Sequence, residues 1–279
     1  MINITTSRRG LLKSAAAFAA FASVPSVLAH ADHTRVGLQL YTVRDMAKDD
    51  FLGTLEHVAA VGYKDMEFAG YFGHSVQTLR RHLDALGMAA PSAHIPLTAF
   101  QDNTDKVIED ALVMGHHYLV MPYLTQEQRA GGIDTYKRLA EFLNGVGEKC
   151  RASGIMLAYH NHDFEFQAED GQLPYDVLLE VPAENMLMEM DLYWTTKAGF
   201  DPVAYFAKHP GRFPLWHVKD MDTEGNFADV GTGTIDFDRI FAQRQLAGLQ
   251  HGFVERDRTD DLERTLTRSF EGAKRLIEG

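Results

Sequence analysis

Cysteine is almost absent from this chain of 279 residues, since Cys150 stands alone. A lone cysteine excludes an intrachain disulfide, so the protein is not a disulfide-stabilised scaffold. Basic residues are also scarce: 27 Lys and Arg stand against 39 Asp and Glu, which gives a formal net charge of −12. Because an acidic surface repels phosphate backbones, nucleic acid is not expected as a partner.

Long apolar runs are missing except near the N-terminus, where residues 14–28 carry no charge and are rich in alanine. This run is too short and too weakly apolar to predict stable insertion in a membrane. It follows Arg8-Arg9 and precedes Ala29-His30-Ala31, which is typical of a signal peptidase site. Residues 1–31 are therefore predicted to be a signal peptide of the twin-arginine type, which exports folded proteins to the periplasm. A plain secretory signal and an uncleaved anchor are the alternatives.

Residues 32–279 alternate between short strand-like runs and longer stretches with helical spacing. Eight strands are predicted, at Val36–Tyr41, Lys64–Ala69, Met88–His94, Tyr118–Tyr123, Ile155–His160, Met186–Tyr193, Phe213–Val218 and Gly252–Glu255. Eight helices are predicted to follow them, at Phe51–Val61, Val76–Leu86, Asp105–Met114, Ile133–Ala152, Tyr175–Glu180, Pro202–Lys208, Phe237–Gln245 and Leu262–Ile277. Strict alternation predicts a parallel sheet, because parallel neighbours need a crossover connection.

The absence of a glycine-rich loop decides between the two common parallel architectures. An open doubly wound sheet usually binds phosphate at such a loop after its first strand, but Gly37 is the only glycine between Val36 and Arg44. No linker or internal repeat indicates a second domain. The chain is therefore predicted to fold as a single (β/α)8 TIM barrel over residues 32–279.

A TIM barrel places its active site at the C-terminal ends of its strands. Side chains that can bind a ligand or transfer a proton stand there on nearly every predicted strand: Gln39, Tyr41, Glu67, His94, Tyr123, His160, Asp191, His217 and Glu255. Imidazole and carboxylate groups that converge on one point suit Mn, Co, Zn, Ni or Fe better than Ca. One divalent metal ion is therefore expected as a cofactor.

Five segments resemble the sugar phosphate isomerase/epimerase family, which has a xylose-isomerase-like barrel: Gly37–Thr42, Tyr159–His162, Met188–Leu192, Trp216–Asp220 and Gly231–Phe237. The resemblance extends from about residue 36 to residue 277. It implies one divalent metal held by side chains from the last four strands, and Asp191, His217 and Glu255 match three of those ligands. The glutamate of the family's fifth strand falls on His160, so the fourth ligand is either His160 or Glu165 from the following loop.

The other polar residues near the strand ends are assigned to the substrate and the reaction. The candidates for acid–base work or for stabilising a developing oxyanion are Glu67, Glu165, Glu189, Lys219 and Glu255. The candidates for substrate binding are Gln39, Tyr41, His94, Tyr123, His162 and Trp194. The insert His162–Tyr175 exceeds the usual length of a link after a barrel strand and is expected to line the pocket.

The resemblance implies a metal-dependent isomerase or epimerase that removes a proton beside a polarised carbonyl. Export, together with the absence of a phosphate-binding loop or basic cluster, favours a non-phosphorylated sugar or keto-sugar as the substrate. A lyase or hydratase that acts on 3-keto-glycosides by β-elimination is the first alternative. A non-catalytic periplasmic sugar-binding protein and a phosphodiesterase of the related endonuclease type are the others. A homo-oligomer is compatible with the sequence.

Overall fold

The structure, a computed structural model, describes residues 35–278. The predicted signal peptide lies outside the described residues. Within residues 35–278, no helix combines the length and the apolar character needed to span a bilayer.

Eight parallel strands form a closed barrel. They are β1 Gly37–Gln39, β2 Asp65–Phe68, β3 Ala89–His94, β4 Tyr118–Met121, β5 Met156–His160, β6 Met186–Asp191, β7 Leu215–Val218 and β8 His251–Val254. Each strand pairs with the next along the chain, and β8 pairs with β1 through Phe253 and Gly37. The predicted (β/α)8 barrel is therefore confirmed. A short antiparallel hairpin of Asp220–Met221 and Phe227–Ala228 follows β7.

The alternation of side chains along each strand separates an apolar layer from a polar layer inside the barrel. Tyr118, Val120, Ala158, Leu215 and Phe253 pack together as a small buried cluster. His160, His217 and Glu255 each follow a member of that cluster by two residues, so they lie on the same side of the sheet, one step nearer the C-terminal ends. The apolar layer thus forms a base beneath the polar groups.

Helices alternate with the strands and cover the outside of the barrel. They are α1 Arg44–Asp49, α2 Phe51–Val61, α3 Val76–Leu86, α4 Leu97–Met114, α5 Ile133–Ala152, α6 Pro174–Leu179, α7 Leu192–Lys197, α8 Pro202–Lys208, α9 Phe237–Phe241, α10 Arg244–Ala247 and α11 Leu262–Glu278. The bounds of α2, α3, α5 and α8 agree with those predicted. In α3, Ser75 caps the N-terminus by accepting from the Thr78 N–H, and Gly87 ends the helix in the left-handed conformation.

Three predicted strands run two residues past their observed C-terminal ends, and each ends early for a local reason. β1 stops at Gln39, whose side chain accepts from the Tyr41 N–H and begins a 3-10 turn over Leu40–Val43. β4 stops before Pro122, which has no N–H to donate to the sheet. β6 stops at Asp191, whose carboxylate caps α7 by accepting from the Trp194 N–H. The predictions therefore missed α1 and α7.

Two predicted helices also differ from the structure. The helix expected from Asp105 begins at Leu97, and it is interrupted by a non-helical backbone at Asn103. The helix expected over Phe237–Gln245 is divided into α9 and α10. The first prediction found only the part of the helix after its break, whereas the second continued helical spacing across a break in the backbone, which a periodic pattern does not reveal.

Candidate active site

A cavity of about 1210 Å³ opens at the C-terminal ends of the barrel strands. Eight of the predicted site residues line it: Tyr41, His94, Tyr123, His160, His162, Trp194, Lys219 and Glu255. The other six are fully buried and do not line it: Gln39, Glu67, Glu165, Glu189, Asp191 and His217. The site therefore has an accessible wall and a buried layer of charged groups in contact with that wall.

His217 lies at the centre of the buried layer, and its two ring nitrogens face different partners. Nδ1 is 2.9 Å from Glu255 Oε2 and 3.5 Å from Asp191 Oδ2. Nε2 is 2.7 Å from Glu67 Oε1 and 3.3 Å from Glu189 Oε2. Burial disfavours a charged ring, but the surrounding carboxylates, Glu189 and Glu255 foremost, hold the pKa of His217 well above its ordinary value.

The ligand group, His160, Asp191, His217 and Glu255, is one of the two sets of potential metal ligands in the described part of the chain. One ligand atom from each lies within 4.8 Å of all the others. Burial, with a further effect of His217, lowers the pKa of His160 to about 4, so this ring is neutral, as a metal ligand must be. Among residues 35–278, His217 Nδ1 makes no hydrogen bond of good geometry, although Glu255 Oε2 lies 2.9 Å away. Two nitrogens and two carboxylates fit a divalent transition metal.

Lys219 neutralises the carboxylates of the ligand group. Its Nζ is 3.0 Å from Asp191 Oδ2, 2.6 Å from Glu255 Oε2 and 2.9 Å from Asp257 Oδ1. Burial opposes the charge on Lys219, yet these carboxylates raise the pKa of the amine well above its usual range. Lys219 is therefore an ammonium ion beside the wall of the cavity.

The second group consists of Glu67, His94, Glu189 and His217, so the two sets share only His217. His94 Nε2 lies 3.1 Å from Glu67 Oε1 and 2.8 Å from Glu189 Oε2. Burial opposes charge on His94, but the two carboxylates raise its pKa to about 9. Burial and the nearby Glu67 raise the pKa of Glu189 to about 7.

A row of residues across the first three strands holds Glu67. Gln39 and Ser92 are the register partners of Glu67 on β1 and β3. The Gln39 amide donates to Glu67 Oε1 at 2.7 Å, and the Ser92 hydroxyl donates to Oε2 at 2.5 Å. Gln39 was expected to contact the substrate, but it is fully buried and instead orients a carboxylate.

Glu165 lies apart from both sets of potential ligands. The Tyr159 hydroxyl donates to its Oε1 at 2.6 Å, and the His162 N–H donates to its Oε2 at 2.8 Å. Burial raises the pKa of Glu165 to about 7, although these two donors oppose the rise. Of the two fifth-strand candidates, His160 is therefore the one near Asp191, with Nε2 3.4 Å from Asp191 Oδ2. Only His162 of the insert His162–Tyr175 lines the cavity.

Aromatic side chains form much of the wall. Tyr41 and Tyr123 are 44% and 45% exposed, which leaves ring faces open to a ligand. The His162 ring packs at 5.1 Å from that of Tyr123 and at 5.5 Å from that of Trp194. Within the described part of the chain, His162 Nδ1 and Trp194 Nε1 have no hydrogen-bond partner. Apolar ring faces with a few free polar atoms are typical of a small-molecule site.

This architecture is similar to that of a known protein family. The family described as xylose isomerase-like TIM barrel matches residues 55–251. The chain belongs to the xylose isomerase-like TIM barrel family. An inosose dehydratase of Clostridium beijerinckii is 24% identical over 237 residues, which cover 71% of this chain and 78% of the relative.

Two solved structures extend the comparison with the family. A sugar phosphate isomerase/epimerase of Parabacteroides distasonis has a TM-score of 0.73 and 23% identity, over 86% of this chain and 93% of its own. A protein named IolI, solved with a zinc atom bound, has a TM-score of 0.70 and 15% identity, over 88% of this chain and 98% of its own. At these identities the two structures show the shared fold alone.

In this xylose isomerase-like barrel, the Gly-x-Gly segment after the hairpin has a structural role, because it is hydrogen-bonded to the hairpin. The buried carboxylate of Asp220 accepts from the N–H groups of Gly231 and Gly233, each at 2.9 Å. A Cβ atom added at Gly233 would lie 2.3 Å from Asp220 Oδ1 and 2.3 Å from the Met221 carbonyl oxygen. Glycine is therefore needed here for a close backbone approach.

Ser92, Asp257 and Phe227 are among the residues of the site that were not predicted from the sequence. Ser92 and Asp257 each lie two residues from a predicted site residue, His94 and Glu255, and this spacing could have indicated them. Phe227 lines the cavity from the hairpin. Its strand has only two residues, too few to give a periodic signal.

Proposed function

We propose that this protein is a divalent-metal-dependent lyase that removes a proton beside the carbonyl of a non-phosphorylated keto-sugar and expels a β-substituent. The observation that carries the proposal is the ligand group beside the cavity, with the Lys219 ammonium in contact with two of its carboxylates. The inosose dehydratase relative supports it, because a dehydratase expels water.

His160, Asp191, His217 and Glu255 would hold the ion, which would supply Lewis-acid polarisation of a substrate oxygen. Glu255 is the one carboxylate of the ligand group that lines the cavity, so we assign proton transfer to it, although Lys219 and His217 outweigh burial and hold its pKa well below the ordinary value. Lys219 also lines the cavity and stabilises negative charge that develops on the substrate oxygen. His162 and Trp194 line the cavity, where their rings would contact the substrate.

An uncharged substrate is supported by the partners of three of the five basic residues that line the cavity, whereas the other two, Lys197 and Arg258, are exposed. Arg44 donates to the carbonyl oxygens of Tyr41 and Asp257, each at 2.7 Å. Arg256 forms an ion pair with Asp229. Lys219 is held by three carboxylates. These residues are therefore not a free cluster of cations for a phosphate group.

The choice of elimination over epimerisation follows from His160. Epimerisation removes a proton from one face of a carbon and returns it to the other, which requires two proton-transfer groups on opposite sides. Where the family resemblance leads one to expect a glutamate, the fifth strand has His160, whose imidazole is neutral. The ligand group therefore presents only one carboxylate, that of Glu255, to the cavity. Isomerisation remains the second candidate, because Glu255 alone could transfer a proton between neighbouring carbons.

The experiment uses a nitrophenyl 3-keto-glucoside with the Mn- or Co-loaded protein in heavy water. A lyase releases nitrophenol, whereas an isomerase incorporates deuterium and keeps the glycosidic bond. We expect Asp191→Asn and His217→Ala to lose turnover and the ion held by the ligand group, while Glu165→Gln keeps that ion. If the metal-loaded wild type gives neither product nor deuterium exchange with free sugars and keto-sugars, the sugar-binding alternative replaces the enzyme.

A further inference from the structure

The second group, on the Nε2 side of His217, has the arrangement of a metal site in its own right. Nitrogen and oxygen atoms alternate around a closed ring of four contacts. His94 Nε2 lies 2.8 Å from Glu189 Oε2 and 3.1 Å from Glu67 Oε1. His217 Nε2 lies 2.7 Å from the same Glu67 oxygen and 3.3 Å from the same Glu189 oxygen.

The size of this ring matches a transition-metal ion. In a tetrahedral zinc site the bonds to imidazole nitrogen and carboxylate oxygen are about 2.1 Å long, so neighbouring ligand atoms lie about 3.4 Å apart, slightly more than the four contacts of this ring. The four ligand atoms therefore need to move by only a few tenths of an ångström to coordinate an ion.

Two further observations indicate that the ring is an incomplete set of partners. Glu189 Oε1 belongs to a fully buried side chain and has no hydrogen-bond partner among residues 35–278. Two carboxylates, Glu67 and Glu189, share this buried space, and only protons on the rings of His94 and His217 balance their charge, which a divalent ion would replace. A divalent cation satisfies both carboxylates and leaves the second Glu189 oxygen as an additional ligand atom.

We propose that Glu67, His94, Glu189 and His217 bind a second divalent transition-metal ion, and that His217 bridges the two ions through its two ring nitrogens. Bridging requires the imidazole of His217 to release both N–H protons to solvent, and His94 releases one. No electron transfer is involved. The proposal does not depend on the reaction, because the two ligand sets share only His217.

The test is metal stoichiometry. Wild-type protein is dialysed against Co²⁺ or Zn²⁺ alone, and bound metal is measured by mass spectrometry. We expect two ions per chain in the wild type, one in Glu189→Gln and one in Asp191→Asn. Glu165→Gln is the matched control, since it removes another buried carboxylate outside both groups, and it should keep two. Saturation of the wild type at one ion, with none bound by Asp191→Asn, overturns the proposal.

Two measurements on the wild-type protein test the proposal even if a variant fails to fold. Crystals of the wild type soaked in Co²⁺ should give two anomalous peaks, one on each side of His217, and a single peak overturns the second site. In protein loaded with Cu²⁺, the bridge should give a spin-coupled signal in electron paramagnetic resonance. Two bound ions without coupling overturn the bridge.

Discussion

His160 lies directly opposite Glu189 in the parallel register of β5 and β6. The fifth strand thus carries an imidazole where the family resemblance leads one to expect a carboxylate, and the neighbouring strand carries a carboxylate at the same level. His160 contacts Asp191 in the ligand group, whereas Glu189 contacts His94 in the second group. The ligand group consequently has two carboxylates rather than three, and Lys219 is in contact with both.

Removal of the Lys219 ammonium should affect metal binding and turnover in opposite directions. In Lys219→Met, a divalent ion no longer meets a fixed positive charge beside Asp191 and Glu255, so we expect the Kd for Mn²⁺ to fall by about tenfold. Loss of oxyanion stabilisation should lower turnover by about 100-fold. Calorimetric titration and steady-state kinetics measure the two effects. Lys197→Met, at an exposed lysine on the cavity wall, is the control. Weaker metal binding in Lys219→Met would show that the ammonium assists the ion.

The raised pKa of Glu165 predicts a pH-dependent contribution to stability. Its carboxyl has a pKa of about 7 when folded and about 4.5 when unfolded, so the folded state binds more protons between these values. The contribution is complete below the unfolded pKa and is lost as the pH rises through about 7. Glutamine does not titrate, and it can donate to the Tyr159 hydroxyl while it accepts from the His162 N–H.

We therefore expect the free energy of unfolding to fall less in Glu165→Gln than in the wild type between pH 5 and pH 8, by about 1–3 kcal/mol. Urea unfolding at four pH values in this range measures the difference. Glu127→Gln changes an exposed glutamate and should leave the wild-type slope unaltered. Equal slopes for Glu165→Gln and the wild type would contradict a raised pKa.

Two Gly→Ala substitutions should change stability in opposite directions. At Gly233 the added Cβ meets Asp220 and the Met221 carbonyl, so we expect destabilisation of about 1–3 kcal/mol. At Gly145, in α5, a Cβ meets nothing within 4 Å, and alanine should stabilise the helix by about 0.5–1 kcal/mol. Thermal unfolding of both variants is the measurement. A neutral Gly233→Ala would mean that the loop moves freely away from Asp220.

The twin-arginine signal predicts a specific export defect. Replacing Arg8 and Arg9 together with Lys should leave an uncleaved precursor in the cytoplasm, because the folded-protein export route requires the paired arginines. Cell fractionation and N-terminal sequencing provide the measurement. Lys13→Arg preserves the charge nearby and should be exported normally. Export of the Arg8→Lys, Arg9→Lys variant at the normal rate would support a plain secretory signal instead.

The sequence predicted the bounds of a helix whose two ends are marked by capping residues. The helix Val76–Leu86 was predicted with its observed bounds, because Ser75 and Gly87 mark its two ends. The short helix that begins at Leu192 was not, since its cap is Asp191, a residue that also continues an apolar strand pattern. A side chain that both ends a strand and begins a helix cannot be identified from periodicity.

The sequence predicted which residues belong to the candidate site, but not which of these residues contact one another. Strand ends converge in a barrel, and this places His160, Asp191, His217 and Glu255 together. The division of the charged residues into two groups depends on how the His217 ring is turned, and no pattern in the sequence encodes that rotation. Gln39 illustrates the same limit, because its position was predicted and its partner, Glu67, was not.

The hairpin after β7 shapes the rim of the cavity but contributes none of the potential metal ligands at its base. Asp220 fastens the hairpin to the Gly231–Gly233 segment, while Asn226 and Phe227 face the cavity from its far end. Asn226 and Phe227 belong to neither set of potential metal ligands. Mutations in the turn can therefore change which substrates enter without disturbing the residues that hold the ion. The turn can therefore vary in sequence without altering either set of potential ligands.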